Sequence, residues 1–277
     1  MTTRLRDVLT KMTCLLAQAG IDTPARDARA LMARAVDKPA DRLTLMLDDP
    51  IDLAAQSQAE ALAVRRGARE PLSHIIGTRQ FFEHVFRVSP DVLDPRPETE
   101  CLVRAALDGA FTHVLDLGTG SGCILLSLLA ARSASSGIGT DVSFDALEVA
   151  MSNAAAIGVE QRAMFLQSDW FSAVEGRFDL IVSNPPYIAA QEMTQLAPEL
   201  AYDPRLALTD DGDGLSAYRQ IVPQAKSFLE PGGRIILEVG WRQGQSVARM
   251  MQDAGYGQVR IRPDLDGRDR VVEATLG

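Results

Sequence analysis

The rhythm of apolar positions changes twice along the chain. Over the first 70 residues Leu5, Val8, Leu9, Met12, Leu15 and Leu16 recur at the three-and-four spacing that places them on one buried helical face. Asp22 or Thr23 with Pro24 opens a second helix, striped by Ala28, Leu31, Met32 and Ala35, and Leu53 to Arg66 reads as a third. Between Pro71 and Pro97 the pattern becomes strand-like. Phe81, Phe82, Val85, Phe86 and Val88 around Glu83-His84 predict a short hairpin, followed by the proline-bounded Asp94-Pro95-Arg96-Pro97. From His113 onward, short apolar runs alternate with helical stretches. Strands are predicted at 113–117, 137–140, 163–167, 178–183, 234–239, 258–262 and 270–274, with helices at 123–131, 143–157, 215–229 and 243–254. Such alternation predicts an α/β fold, a seven-stranded, mostly parallel sheet covered by helices on both faces. The expected organisation is a helical domain over 1–70, a hairpin linker over 71–97 and a sheet domain over 98–277. The stretch 187–214 is long for a loop, and long ordered loops at strand ends are often binding elements.

Composition narrows the function classes. With 277 residues the chain has room for one full-sized domain and a smaller one, and 46% hydrophobic with 23% charged residues is an ordinary soluble balance. The net charge of −9 disfavours a phosphate backbone as partner unless the cations gather on one face. Arg26, Arg29, Arg34, Lys38, Arg42, Arg65, Arg66 and Arg69 are instead interleaved with acids, so no nucleic-acid partner is expected. Cys14, Cys101 and Cys123, like His74, His84 and His113, are scattered, without ligand spacing or a disulfide framework. No metal is expected, and the cysteine usage suits a reducing cytoplasm. The segment from Met1 to Ala19 is broken by charges and reads as no signal peptide; no apolar run approaches the roughly 20 residues a membrane span needs. Asp210-Asp211-Gly212-Asp213-Gly214 resembles a calcium loop at a glance but reads better as an acidic turn opening the next helix.

Chemistry concentrates where strands end. Val114-Leu115-Asp116-Leu117 runs into Gly118-Thr119-Gly120-Ser121-Gly122 and then a helix. Glycines there let backbone N–H groups approach a ligand closely. Cys123 stands where a dinucleotide fingerprint needs its third glycine, so the loop resembles that of Rossmann-like methyltransferases. Asp141, ending the next predicted strand, can accept both hydroxyl protons of a ribose or simply cap the following helix. At the third strand end Asp169 can accept from an adenine amino group and Trp170 can pack on its ring, although an aromatic after a strand is as often core. The most informative segment is Phe178 to Ser183 followed by Asn184-Pro185-Pro186-Tyr187. Two prolines stop the ladder and stiffen the corner. The Asn184 side-chain oxygen and the Pro185 carbonyl then form a pair of acceptors matching the two hydrogens of a planar –NH₂ group, with Tyr187 as an aromatic wall.

That segment resembles the signature of methyltransferases acting on amide or exocyclic nitrogens, a class holding both adenine-N6 and protein-glutamine enzymes. Pro71-Leu72-Ser73-His74-Ile75-Ile76-Gly77, Asp94-Pro95-Arg96-Pro97-Glu98-Thr99-Glu100, Ser168-Asp169-Trp170-Phe171, Pro231-Gly232-Gly233, Leu237-Glu238-Val239-Gly240 and Gly267-Arg268-Asp269-Arg270 are similar to motifs of the bacterial peptide chain release factor N5-glutamine methyltransferases, the HemK type. The resemblance spans nearly the whole chain. It implies methyl transfer from S-adenosyl-L-methionine, leaving S-adenosyl-L-homocysteine, to the glutamine of the Gly-Gly-Gln motif in class I release factors, by a monomer. It further implies that Gly118, Thr119, Gly120, Ser121, Gly122, Asp141, Asp169 and Trp170 bind the cofactor together with Asn184. Asn184 and Pro185 are the implied catalytic pair, and Asn184, Pro185, Pro186 and Tyr187 hold the glutamine. Arg96, Glu98 and Thr99 line the methionine side or the cleft. Two departures from the family pattern stand out: Asp94 where an apolar residue is usual, and Asp203 in Tyr202-Asp203-Pro204 where a glutamate is common. An adenine-N6 nucleic-acid methyltransferase is the competing expectation.

Overall fold

The computed structural model describes residues 3–277, which divide into two compact units: residues up to Thr78 together with Ala197–Tyr202, and Arg79–Leu196 together with Asp203–Gly277.

The first unit is helical, with α1 (Leu5–Gln18), α2 (Pro24–Ala35), α3 (Leu53–Gly67) and the short α4 (Leu72–Ile76). The predicted stripes are the buried ones: Leu5, Val8, Met12 and Leu16 meet Ala28, Leu31, Met32 and Ala59 in one core. Asp52 caps α3 by accepting from Ala55 N at 2.8 Å, and Pro24 sits at the first turn of α2, where its missing N–H costs nothing. A buried ion pair ties α2 to α3, Arg66 Nε to Asp27 Oδ2 at 2.8 Å. Glu199, on the short 3₁₀ turn Pro198–Tyr202, pairs with Arg66 and Arg69, and the Tyr202 hydroxyl donates to Ala68 O.

The second unit opens with the hairpin β1 (Thr78–Phe81) and β2 (His84–Arg87), then α5 (Glu100–Leu107), and continues as β3 (His113–Leu117), α6 (Cys123–Ala131), β4 (Ser136–Asp141), α7 (Phe144–Ile157), β5 (Ala163–Gln167), β6 (Phe178–Ser183), α8 (Arg205–Leu208), α9 (Ser216–Phe228), β7 (Leu229–Glu238), α10 (Gly244–Asp253), β8 (Gly257–Pro263) and β9 (Asp269–Thr275). The strands order as β5-β4-β3-β6-β7-β9-β8; only β9 runs against its neighbours. Side chains alternate between two cores as the pleat requires. Leu115, Leu117, Ile181, Ile235 and Leu237 face Tyr218, Ile221, Val247 and Met251 of α9 and α10. Val114, Leu180, Val182 and Ile236 face Leu102, Leu125 and Leu128 of α5 and α6. Because β4 and β6 flank β3, strand order reverses there, and in open parallel sheets the crevice at that reversal is where ligands bind.

Candidate functional site

Register decides which residues meet at that crevice. Thr140, Leu117 and Ser183 are cross-strand partners, and Ser183 is also opposite Leu237. The next residue on each strand therefore emerges in one row along the carboxyl edge: Asp141, Gly118, Asn184, Glu238. Asp141 is also opposite Gln167, so β5 delivers Ser168, Asp169 and Trp170 to the same edge.

Between β3 and α6 the chain turns with Gly118, Gly120 and Gly122 at φ of 68°, 55° and 79°. A side chain at Gly122 would meet Leu126 Cδ1 at 2.9 Å and Ala150 Cβ at 3.3 Å, so this glycine serves packing between α6 and α7. A Cβ at Gly120 would meet nothing within 4 Å; it opens onto free space. Beneath the turn lies Asp116, fully buried, whose Oδ2 accepts from Thr119 Oγ1 at 2.7 Å and Leu125 N at 3.3 Å, while Oδ1 has no partner. Burial pushes its carboxyl up to about 7 against those two donors, and the nearby Asp141 charge adds to the rise.

The Asp141 carboxylate bridges the turn and the start of α7: Oδ2 accepts from Gly120 N and Oδ1 from Ser143 N, each at 2.9 Å. Burial raises its pKa against these backbone donors. Ser143, not Asp141, caps the helix, its hydroxyl accepting from Ala146 N. The carboxylate keeps part of its accepting capacity. Trp170 holds φ of 48°, a costly value for a bulky residue, and the Ser168 hydroxyl fixes the bend by donating to Trp170 O at 2.9 Å.

These residues wall a cavity of about 370 Å³, within the usual range for a small-molecule site. Of the residues singled out in the sequence, Gly118, Thr119, Gly120, Ser121, Asp141, Asp169, Trp170, Asn184 and Pro186 line it, and so do Arg96 and Thr99. Gly122, Pro185 and Tyr187 are not among the lining residues. Pro185 is buried, and the Tyr187 hydroxyl is turned onto Glu238 Oε1 at 3.3 Å. Tyr187 is thus held from the side of β7, and burial together with the Glu238 charge raises its pKa. Asn184 donates from Nδ2 to Thr99 Oγ1 at 3.2 Å. The mostly apolar wall, the glycine with open space above it and the acceptor at Asp141 fit an adenosyl cofactor.

Thr99 was an expected cleft residue; Glu238, Gln243 and Asn153 were given no role in the sequence. Thr99 is 2% exposed and Glu238 1% exposed; burial lifts Glu238 to about 7, opposed by the Thr99 hydroxyl, Arg270 and Tyr187. The one available hint was an acid at the end of an otherwise apolar strand. Gln243 braces the proline corner from α10's cap, donating through Nε2 to Tyr187 O at 2.9 Å and Gly214 O at 3.1 Å. At Gly214, φ is 74° and a Cβ would fall 2.3 Å from Tyr187 O, so only glycine lets that carbonyl sit where Gln243 reaches it. Asn153, 1% exposed, pins the hairpin to the glycine turn through Arg87 and Ser121 O. The two positions that depart from the family pattern meet: Arg96 pairs with Asp203 and lies 3.9 Å from Asp94 Oδ2, while Asp94 N donates to Asp203 Oδ1. The acidic turn reads as expected, since Asp210 accepts from Gly212 N, Gly214 N and Ser216 N at the start of α9.

The methyltransferase small domain family matches residues 88–260, and the PrmC N-terminal domain family matches residues 7–77. A release factor glutamine methyltransferase of Cereibacter sphaeroides is 53% identical over 274 residues, covering 99% of each chain. Another, from Rhodospirillum rubrum, is 44% identical over 264 residues, covering 94% of this chain and 81% of the relative. Among solved structures, a methyltransferase from Pyrococcus furiosus shares the fold, with a TM-score of 0.55 at 18% identity over 80% of this chain and 99% of that one. Full-length similarity at this level, on a strand order and strand-end row suited to methyl transfer, places the chain in the family of release factor glutamine methyltransferases.

Proposed function

We propose that the chain transfers the methyl group of S-adenosyl-L-methionine to the side-chain amide nitrogen, N5, of the glutamine in the Gly-Gly-Gln motif of class I peptide chain release factors. The observation that carries this reading is the strand register. It brings Asn184 out beside Gly118 at the crevice, on the wall of the cavity that Asp141 and Trp170 also line.

In this reading the turn from Gly118 through Gly122 lets the backbone approach the cofactor closely, Asp141 accepts from the ribose hydroxyls, and Asp169 and Trp170 hold the adenine. When bound, the cofactor supplies a sulfonium methyl as electrophile. The work of the chain is then to orient a poor nucleophile. An amide lone pair is delocalised, so the gain must come from holding the nitrogen in line, an effect worth roughly 7–11 kcal/mol in well-oriented systems. The Asn184 side-chain oxygen and the Pro185 carbonyl accept the two amide hydrogens and favour the pyramidal geometry of attack, while Pro186 and Tyr187 stiffen and shape the corner. With the cofactor bound, the nitrogen would take the methyl carbon while the sulfur keeps the electron pair of the C–S bond, and the nitrogen would lose a proton to solvent.

The helical domain, assigned to 1–70 with a linker over 71–97, is proposed to recognise the release factor, and the sheet domain over 98–277 to carry the chemistry. Among the described residues no helix is long and apolar enough to cross a membrane. A translation factor as substrate would place the work in the cytoplasm.

The test uses cofactor labelled on its methyl group. Purified release factor with Gly-Gly-Gln is expected to take up label, and the Gly-Gly-Ala variant none. Equal labelling of both, or label in duplex DNA or RNA instead, would overturn the reading.

A further inference from the structure

Tyr187, the aromatic expected to wall the substrate glutamine, is turned inward: its hydroxyl donates to Glu238, and its ring does not line the cavity. Another aromatic stands beside the same corner. β7 ends at Glu238, and the chain then turns tightly into α10, with Gln243 N donating to Gly240 O at 2.8 Å and Gly240 N to the Gln243 side-chain oxygen at 3.0 Å. That turn is packed on the proline corner. Gln243 Nε2 donates to Tyr187 O at 2.9 Å, and a Cβ at Gly240 would lie 3.4 Å from Tyr187 Cδ2. Trp241 is the next residue, and it is 52% exposed. Among the described residues of the sheet unit, the other exposed Phe, Tyr or Trp is Phe144, which opens α7 after β4, at the far end of the strand-end row.

A half-exposed indole leaves a large apolar face in water, and tryptophan is among the side chains most enriched where a few contacts carry most of a binding energy. The Arg242 guanidinium lies over the Trp241 ring, 4.1 Å from its centre. One face of the indole is thus covered and held, and the other is left for a partner. The row of strand ends sets what can reach it. A glutamine whose amide is held at Asn184, after β6, brings its own backbone with it. Neighbouring strands lie about 4.8 Å apart and two extended residues span about 7 Å, so the residues next to that glutamine reach the turn after β7. A peptide plane can lie flat on an aromatic face and offer it N–H or Cα–H groups, but a Cβ on the near side holds the two apart. Two glycines in succession are the stretch of chain that approaches most closely.

We infer that Trp241 is a docking residue for the substrate: its open indole face receives the two glycines that precede the glutamine, and so selects Gly-Gly ahead of the methylated residue. This rests on the reading that Asn184 holds the glutamine of a Gly-Gly-Gln motif. Trp241 acts on binding and takes no part in the transfer. The methyl acceptor is thereby read in two places, its amide at Asn184 and its missing side chains at Trp241.

The test is a cycle of two enzymes and two substrates. Wild type and Trp241→Ala are each given a class I release factor carrying Gly-Gly-Gln and a variant carrying Gly-Ala-Gln. Label transfer, S-adenosylhomocysteine binding by calorimetry and thermal melting are measured on the full chain. Trp241→Ala is expected to raise KM for the Gly-Gly-Gln factor about tenfold, with kcat at saturation, cofactor Kd and melting temperature kept, the pattern of a contact made equally in ground and transition states. The Gly-Ala-Gln factor is expected to raise the KM of wild type about tenfold as well, and to raise that of Trp241→Ala no further, because the added methyl group no longer meets an indole. Trp241→Phe, which keeps a flat face, restores most of the lost affinity. An unchanged KM in Trp241→Ala, the same Gly-Ala-Gln penalty in both enzymes, or a fall in cofactor affinity and melting temperature alongside the rise in KM would overturn the proposal. Asn184→Ala, measured alongside, separates the two levels. If it labels the factor as wild type does, the reading of the corner is wrong and the docking role falls with it; if it is inactive while Trp241→Ala keeps the wild-type KM, only the docking role is wrong.

Discussion

Replacing Asp116 with asparagine should change how stability depends on pH while leaving the turn above it in place. Asp116 sits on β3 under the glycine turn, fully buried, with Thr119 and Leu125 donating to one oxygen and nothing to the other. Burial lifts its pKa from 3.8 to about 7. The folded state therefore holds the proton more tightly than the unfolded chain does. The stability this gives is full below about pH 4 and is lost as pH rises through about 7. Between pH 5 and 8 the group gives up about two pKa units' worth of stabilisation, which is about 2–3 kcal/mol. Asparagine has the shape of the neutral acid, still accepts from Thr119 and Leu125 through its oxygen, and releases no proton. Urea unfolding followed by tryptophan fluorescence reports the right unit, because Trp170 and Trp241 both lie in the unit that contains Asp116. Wild type minus variant stability should fall by about 2–3 kcal/mol from pH 5 to pH 8. Glu238, also lifted to about 7, titrates in both proteins and cancels from the difference. Parallel pH profiles for the two proteins would refute the reasoning.

Three further perturbations separate cofactor binding from folding, and a fourth probes the helical core. Gly120→Ala places a methyl group in open space above the turn, so it should cost only about 1–2 kcal/mol of left-handed backbone strain yet sharply weaken S-adenosylhomocysteine binding in calorimetry. Gly122→Ala drives its methyl group into Leu126 and Ala150 and should show mainly as a lower melting temperature, about 2–4 kcal/mol with the strain included. Asp141→Ala removes the acceptor of Gly120 N and Ser143 N, and cofactor Kd should rise about 10- to 100-fold with kcat at saturation largely kept. A loss confined to kcat would mean that Asp141 serves the chemistry instead. Arg66→Met leaves Asp27 charged and unpaired in the helical core; a loss of about 3 kcal/mol or more is expected in chemical unfolding followed by far-ultraviolet circular dichroism.

The sheet was legible because its strands are short and apolar, with their ends marked by glycine, proline or acid. Strands β3, β5 and β6 and helix α6 fall on their predicted bounds. Strand β7 starts at Leu229, not Arg234, because Glu230-Pro231-Gly232-Gly233 lacks a strand pattern and pairs irregularly, the register shifting between Phe178 and Leu180. Helix α5 went unread: it has eight residues, too few for a period to show, although Leu102, Val103, Ala105 and Ala106 form its buried face. Within 187–214, read as a loop, the short turns Ala190–Gln195, Pro198–Tyr202 and Arg205–Leu208 are shorter still. The same logic divides the site. Asp141 and Asn184 were readable because the first closes β4 and the second directly follows β6, and the parallel strands deliver these residues to the same edge. Thr99 entered only through the family resemblance, and Glu238 and Gln243 were given no role, since what they touch depends on strand order and register, which a single sequence does not display. Arg96, Asp94 and Asp203 make the point most plainly, because two substitutions that look independent along the chain surround one guanidinium in space.

The most direct measurement of the central claim is a crystal structure of the full chain with S-adenosylhomocysteine and a Gly-Gly-Gln peptide. The glutamine amide nitrogen should lie about 3 Å from both Asn184 Oδ1 and Pro185 O, a hydrogen-bond distance, and face the cofactor sulfur. A glutamine that turns its amide oxygen toward Asn184, or an Asn184 oxygen directed away from the sulfur, would contradict it.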